Sequence, residues 1–269
     1  MNPEKAIKKQ ARTILSKNNW PAGVGVILTL GVALMIIVYL ADLIVIGIDH
    51  LLTTLNVTIF ETFSVLPLII MITLILAGFC FLLPLFMGSV RFMYQMSKTG
   101  ESDFSQVFYY MGNNRYTKSL KIYMGLIVRT LWQIAISFIP AIIIYLYATS
   151  ESTSDGTTAL SIALYFTSYV LLVGGVLLFN ALTVKYFLAL YYFFENDNLS
   201  VSEICRLSEK YMEKFGSTTV KLNFSLLPVS LANLLIIPAI FVLPYVMTSK
   251  ATSAKWIIEL SKQTENKDE

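Results

Sequence analysis

Long apolar runs alternate with short polar segments along the whole chain. Four of the runs, 21–48, 64–88, 120–148 and 159–193, exceed the about 20 residues that a helix needs to cross a bilayer core of about 30 Å. A fifth run, 222–247, is long enough for one crossing. The pattern therefore predicts an all-α fold, a polytopic bundle of transmembrane helices in one integral membrane domain.

One short amphipathic segment precedes each pair of apolar runs. The three segments lie at about 3–17, 103–112 and 200–216. The second and third begin with capping-box spacing, Asp103 with Gln106 and Ser200 with Glu203, and Gly216 is predicted to end the third. Apolar residues that recur at i, i+3, i+4 and i+7, with Lys and Arg opposite, are typical of helices lying in the headgroup plane. We therefore predict three interfacial helices.

The cations are confined to alternate polar segments. All but two of the 20 Lys and Arg residues lie in the segments 1–20, 89–121, 194–221 and 249–269. The intervening segments 49–63 and 149–158 contain acidic residues and no Lys or Arg. Because short loops rich in Lys and Arg remain cytoplasmic, the sequence predicts a multi-pass protein of the cell membrane with a cytoplasmic N-terminus.

The number of times the last apolar run, 222–247, crosses the membrane is ambiguous. Four lysines follow it, which argues that the chain returns to the cytoplasm after an even number of crossings. Two short arms, about 218–233 and 238–258, satisfy this, with a turn near Asn233 and Pro238 in the first turn of the second arm. The prediction is then six membrane segments, arranged as three repeats of an interfacial helix plus a membrane hairpin. The alternatives are five crossings, and amphipathic loops without any repeat.

Composition excludes several classes of protein. The chain is 56% hydrophobic and 14% charged, whereas soluble domains contain about 25% charged residues. The net charge of +3 is better explained by a basic face against anionic lipid headgroups than by nucleic-acid binding, which needs clustered charge on a soluble surface. We expect the lipid bilayer as partner, with a protein partner at the cytoplasmic face and no nucleic acid.

Four polar residues inside the apolar runs are the candidate functional positions: Asp42, Arg129, Asn180 and Lys185. A charged side chain at a helix centre costs about 2.5–3.5 kcal/mol on insertion scales, so each is a functional candidate. The long side chains of Arg129 and Lys185 can also reach back to the headgroups. Asn180, together with Gln133 and Asn233, is expected to form interhelical hydrogen bonds rather than a substrate site.

No motif for catalysis or metal binding is present. The single histidine, His50, is adjacent to Asp49, but the surrounding acidic residues lack the spacing of metal ligands. The two cysteines, Cys80 and Cys205, form no metal-binding pattern, and no nucleophile elbow or phosphate-binding loop occurs. The sequence therefore predicts no enzyme, no cofactor and no metal.

Short motifs along the chain resemble those of an uncharacterised bacterial family of integral membrane proteins, domain of unknown function 975. They are Ala11-Arg12, Leu15 and Asn19-Trp20, then Gly88, Arg91 and Tyr94, then Leu199-Ser200-Val201 with Ser208, and finally Pro244-Tyr245. The chain departs from the family in one extra residue between Leu15 and the Asn-Trp pair, and in lacking a terminal Phe-Tyr pair. The resemblance implies a multi-pass membrane protein and supplies no activity.

Two functions remain in view. We expect a non-enzymatic accessory or scaffold protein whose interfacial helices act at the cytoplasmic membrane face. The alternative is a transporter of a small solute, peptide or lipid with a pathway between the repeats. Arg129, Asn180 and Asp42 would then line the cavity.

Overall fold

The computed structural model describes residues 3–54, 66–155, 158–196 and 198–268. Within these ranges the chain is helical and contains no strand. The α-helices are α1 (Pro3–Ile14), α2 (Trp20–Thr54), α3 (Leu66–Thr99), α4 (Asn113–Asp155), α5 (Ala159–Thr183), α6 (Ala189–Glu195), α7 (Val201–Leu231) and α8 (Ile236–Asp268). A π turn spans Leu15–Asn19, and 3₁₀ helices span Phe104–Met111, Val184–Tyr186 and Ala232–Leu234.

Four stretches of helix in the described ranges are long and apolar enough to cross a membrane. They are Trp20–Thr54, Leu66–Thr99, Asn114–Glu151 and Ala159–Glu195. Each contains or closely overlaps one of the four longest predicted runs, so the all-helical fold and the membrane class are confirmed. The predicted segments 218–233 and 238–258 fall in α7 and α8, which are not among these four.

The predicted interfacial helix 3–17 is continuous with the first membrane helix. After α1, the π turn Leu15–Asn19 holds one residue more than an α-turn and leads directly into α2. The buried Asn19 amide donates to the carbonyls of Ile14, at 3.0 Å, and Gly100, at 2.9 Å.

The chain folds into two compact units. The first unit contains residues 8–120 and 229–252, and the second unit contains residues 1–7, 121–228 and 253–269. In the first unit α2 and α3 pack closely, because the position of a Cβ on Gly78 is occupied by the side chain of Ile37. Several of its fully buried side chains are at the C-terminal end of α3 and in the Phe104–Met111 helix: Phe92, Met93, Met96, Val107 and Tyr110.

The second unit contains the α4–α5 hairpin. Its seam on α5 consists of the small buried residues Ser161, Ser168 and Gly175, which are spaced by seven and so share one face. A Cβ on Gly175 would overlap the Ser137 carbonyl of α4. Small residues allow this close approach, as is common between membrane helices. Farther along, the C-terminal part of α8 contacts α6, where the Lys262 ammonium lies 3.3 Å from the Glu195 carboxylate.

One boundary predicted from the sequence is wrong. Gly216 was expected to end an interfacial helix 200–216, but α7 continues from Val201 to Leu231. Gly216 is buried inside the helix, and a Cβ there would lie 3.9 Å from Val184. Gly216 does not have the positive φ that is typical of a glycine just after a helix. Among the described residues, a glycine with positive φ is found at Gly100. The chain turns later, at Ala232–Leu234, followed by an extended Leu235.

Candidate functional site

At the end of α3 in the first unit, the Phe104–Met111 helix lies directly on the membrane helix. A Cβ on Gly88 would overlap the backbone carbonyl of Val107, so only glycine permits this approach. Val107 and Tyr110 are buried in the contact. The sequence predicted an amphipathic helix at 103–112, and the structure shows it as a 3₁₀ helix fixed to the preceding hairpin.

Arg91 is the centre of a polar network at this junction. Its Nε donates to Gln106 Oε1 at 3.1 Å, and its Nη1 donates to the Tyr110 hydroxyl at 3.1 Å. The guanidinium carbon lies 3.8 Å from the centre of the Tyr109 ring, and the guanidinium of Arg115 lies 4.0 Å from the same ring. Two cations thus share one aromatic ring, at favourable cation–π distances.

The network continues to the cap of the 3₁₀ helix. Asp103 accepts from the Ser105 N–H at 3.0 Å and from Gln106 Nε2 at 3.0 Å. The hydrogen bond from the Gln106 side chain is the largest cause that holds the pKa of Asp103 below its usual value. The predicted capping box is therefore modified, since Gln106 bonds the Asp103 carboxylate and joins it to Arg91.

In the second unit, α7 is fixed to a break in the second membrane helix of the hairpin. Helices α5 and α6 are separated by the 3₁₀ turn Val184–Tyr186, which leaves backbone groups without helical partners. The hydroxyl of Ser208, on α7, donates to the Lys185 carbonyl at 2.6 Å and accepts from the Leu188 N–H at 3.1 Å. The predicted Ser200/Glu203 capping box at the start of α7 is confirmed, with bonds of 2.7 and 3.3 Å.

Two of the four candidate residues flank this part of α7. The Lys185 ammonium lies 3.4 Å from the Glu209 carboxylate, with both side chains about half exposed. Arg129 interacts with the thiol of Cys205; burial raises the pKa of that thiol, and the nearby guanidinium opposes the rise. Both Arg129 and Lys185 lie close enough to the Cys205 thiol to act on it electrostatically, and the helices that carry them pack side by side at Ser137 and Gly175.

The other two candidates do not join this cluster. Asp42 is exposed on α2 and belongs to the first unit. Asn180 donates to the Val176 carbonyl of its own helix at 2.9 Å, so the bond that the structure shows for it is intrahelical.

The seam between α4 and α5 contains an unexpected polar pair. Gln133 and Ser137 are buried at 0% and 4% exposure. Within the described part of the chain, neither the Gln133 amide atoms nor the Ser137 hydroxyl has a hydrogen-bond partner. The interhelical hydrogen bond expected for Gln133 is therefore not formed. Buried polar atoms without partners are uncommon and call for a specific explanation.

No arrangement for a metal is found in the part of the chain that the structure describes, where no three His, Cys, Asp or Glu residues are grouped suitably. Comparison with known proteins adds no identity: no family model, no curated protein and no solved structure matches the chain.

Proposed function

We propose that this protein is a non-enzymatic accessory or scaffold protein that acts at the cytoplasmic face of the cell membrane. The observation that carries the proposal is the attachment of a helix to the end of each membrane hairpin. The Phe104–Met111 helix is fixed by Gly88 and Arg91, and α7 is fixed by Ser208. A fixed surface of this kind is suited to bind a partner.

The Lys and Arg distribution supports a cytoplasmic location for these surfaces. In the Phe104–Met111 helix, Phe104 and Phe108 are 39% and 48% exposed, and Tyr109 of the same helix is contacted by the guanidinium groups of Arg91 and Arg115. Exposed aromatic rings next to cations suit the boundary between headgroups and acyl chains, where anionic lipids are attracted. Anionic lipid headgroups, with a protein partner, are therefore the proposed ligands of this face.

The proposal includes six membrane segments in three repeats. The turn at Ala232–Leu234 supports two arms after residue 217, since it separates α7 from α8 near the predicted position. A reporter fused after Asn266 tests this. A cytoplasmic signal fits six segments, and an external signal leaves five. Membership in domain of unknown function 975 also belongs to the proposal and rests on the short motifs named above.

Transport is the second candidate, and Gln133 with Ser137 favours it. Buried amide and hydroxyl groups without partners inside a membrane hairpin are suited to bind a polar solute during passage. Replacement Gln133→Leu separates the two functions in proteoliposomes. A transporter loses flux for its solute, whereas a scaffold shows no flux in either form and gains stability from the added apolar side chain.

Site-specific photo-crosslinking tests the scaffold proposal directly. A photoreactive residue at Phe108 is expected to give a discrete protein adduct or adducts enriched in anionic lipid. The control position is Ile162, which is 59% exposed near the first turn of α5 and is expected to give bulk lipid adducts. The same bulk lipid adducts at both positions would contradict the proposal.

A further inference from the structure

An apolar groove of about 280 Å³ opens on the surface of the first unit. Its walls include Ile27, Gly31 and Leu34 of α2, Phe79 and Phe86 of α3, and Leu243 of α8. The side chains of Leu34, Phe79 and Phe86 remain 43%, 51% and 39% exposed. The groove therefore presents apolar walls at a depth where both α2 and α3 are membrane helices.

Gly31 keeps this groove open. A Cβ built on Gly31 would meet no described atom within 4 Å. A larger residue there would extend into open space rather than into the hairpin. In the bilayer core the surrounding solvent is hydrocarbon, and an apolar groove at this depth has no polar groups with which to hold water. An acyl chain is the occupant that matches its chemistry.

A second pocket, of about 340 Å³, lies where α1 meets α2. It is lined by Arg12, Ser16, Trp20 and Pro21. The Arg12 guanidinium also lies 5.6 Å from the centre of the Tyr245 ring. A cation, a hydroxyl and an indole at the start of a membrane helix are the groups expected at headgroup level. The charge on Arg12 complements a phosphate ester.

The two pockets follow one another along α2. Trp20, Ile27, Gly31 and Leu34 are separated by seven, four and three residues, so they lie on one face of the helix. The eleven residues from Trp20 to Gly31 span about 16 Å at 1.5 Å per residue. Half of a bilayer core measures about 15 Å. A phospholipid with its phosphate beside Arg12, in the pocket that Trp20 also lines, would therefore bring the end of an acyl chain to about the level of Gly31.

We propose that the first unit binds one anionic phospholipid, with its phosphate at Arg12 and one acyl chain in the groove beside Gly31. The inference rests on the proposed function in one respect, the location of α1 at the headgroup level of the membrane. It adds a defined site, a lipid class and a role for both pockets.

Lipid retention tests the groove. The full chain is placed in nanodiscs of equal parts phosphatidylglycerol and phosphatidylcholine, and the lipids that remain bound after transfer to detergent are measured by native mass spectrometry. Gly31→Phe fills the groove and is expected to reduce retained phosphatidylglycerol by about tenfold. Gly47→Phe is the matched control, since Gly47 is also in α2 with no described atom within 4 Å of a Cβ, and it should retain lipid as the wild type does.

Charge replacement tests the headgroup pocket. Arg12→Gln should lower the preference for phosphatidylglycerol over phosphatidylcholine by about fivefold, the effect of one cation near an anionic headgroup. Lys9→Gln removes the same charge from the exposed side of α1, outside the pocket, and should leave the preference nearly unchanged. Soluble glycerol phosphate should not compete, because it lacks the acyl chain.

A labelling experiment on the wild-type chain tests the proposal without any variant. Phosphatidylglycerol with a diazirine in its acyl chain should label the peptides that contain residues 27–34 and 79–86. Equal retention in Gly31→Phe and Gly47→Phe, or labelling spread evenly over all membrane helices, would overturn the site. A failure of the wider functional proposal is seen separately, as absence of adducts at Phe108 while lipid retention at Gly31 persists.

Discussion

The two hairpin ends differ in how they hold the helix that follows. In the first unit α3 continues past Pro84 to Thr99, so the backbone N–H and carbonyl of Gly88 are paired within the helix. In the second unit the hairpin's second membrane helix is interrupted at Val184–Tyr186, which exposes the Lys185 carbonyl and the Leu188 N–H. The first junction is therefore made by steric fit and by the side chain of Arg91, which stacks on Tyr109 and donates hydrogen bonds to Gln106 and Tyr110. The second is made by hydrogen bonds to Ser208.

This difference shows how an intact and an interrupted helix each provide an attachment point. An intact helix offers only its surface, so close contact requires a residue without a side chain. An interrupted helix offers free backbone groups, and one hydroxyl from a neighbouring helix satisfies both a donor and an acceptor. Contacts at the first junction should accordingly tolerate less change in volume, and contacts at the second should depend on polarity.

The largest effect is expected for Gly88→Ala. The new Cβ would overlap the Val107 carbonyl, which is backbone and cannot rotate away. The free energy of unfolding should fall by about 3 kcal/mol, measured by thermal or denaturant unfolding in detergent. Val107→Ala should not rescue it, because the obstacle is not the side chain. The control Gly174→Ala meets no described atom within 4 Å and should change stability by less than about 0.5 kcal/mol.

The next largest loss of stability is expected for Ser208→Ala. Loss of the hydroxyl leaves the buried Leu188 N–H and the Lys185 carbonyl unpaired, which should cost about 2 kcal/mol. Ser137→Ala is the matched change with the opposite expectation, since the Ser137 hydroxyl has no partner in the described structure. It should be neutral or slightly stabilising by the same unfolding measurement. Equal losses for the two variants would contradict the hydrogen-bonded account of the second junction.

Gly125→Ala should have a smaller effect than Gly88→Ala. Its Cβ would lie 2.6 Å from a methyl group of Val201 on α7. Because the obstacle is a side chain, the cost should be about 1 kcal/mol, and Val201→Ala should recover most of it. A double variant no more stable than Gly125→Ala would show that the helix backbones, not the valine, set this distance.

The smallest effect is pH-dependent and concerns the two helix caps. Hydrogen bonds from Gln106 and from Ser200 lower the pKa values of Asp103 and Glu203 relative to 3.8 and 4.5. Their contribution to stability is present above those unfolded-state values and is lost as pH falls through the lower folded-state values. Protection of the Ser105 and Ser200 amides against hydrogen exchange should therefore decrease on acidification below pH 4.

The controls for the caps are Asp103→Asn and Glu203→Gln, which keep an acceptor oxygen that does not titrate in this range. Protection should then be independent of pH. In the wild type, protonation of Asp103 should also shift the Arg91 Nε–H signal, since Gln106 connects the two residues. An unchanged Arg91 signal would show that the polar network is not continuous.

Local sequence signals predicted much of the architecture. The lengths of the apolar runs identified the four long membrane helices, and Ser200 with Glu203 identified the start of α7. These features depend on neighbours within one or two turns. The continuation of α7 through Gly216 was not predictable, because it depends on packing near Val184, more than 30 residues earlier in the chain.

The candidate site was also predicted only in part, because some of its contacts join residues that are distant in the sequence. Depth along a helix identified Arg129 and Lys185, which the structure places beside α7. The partners of Arg91 could not be read from the sequence, since Gln106 and Tyr110 reach it only after the chain reverses at Gly100. The unpaired amide of Gln133 was also missed, because the sequence does not show what lies opposite it.

The central claim is tested most directly by determining on which side of the membrane the hairpin ends lie. In a Cys80→Ser, Cys205→Ser background, single cysteines at Glu101 and Asp49, both exposed, are treated with a membrane-impermeant maleimide. Spheroplasts and inverted vesicles are compared. The account predicts labelling of Glu101→Cys in inverted vesicles only and of Asp49→Cys in spheroplasts only. Labelling of Glu101→Cys in spheroplasts would contradict it.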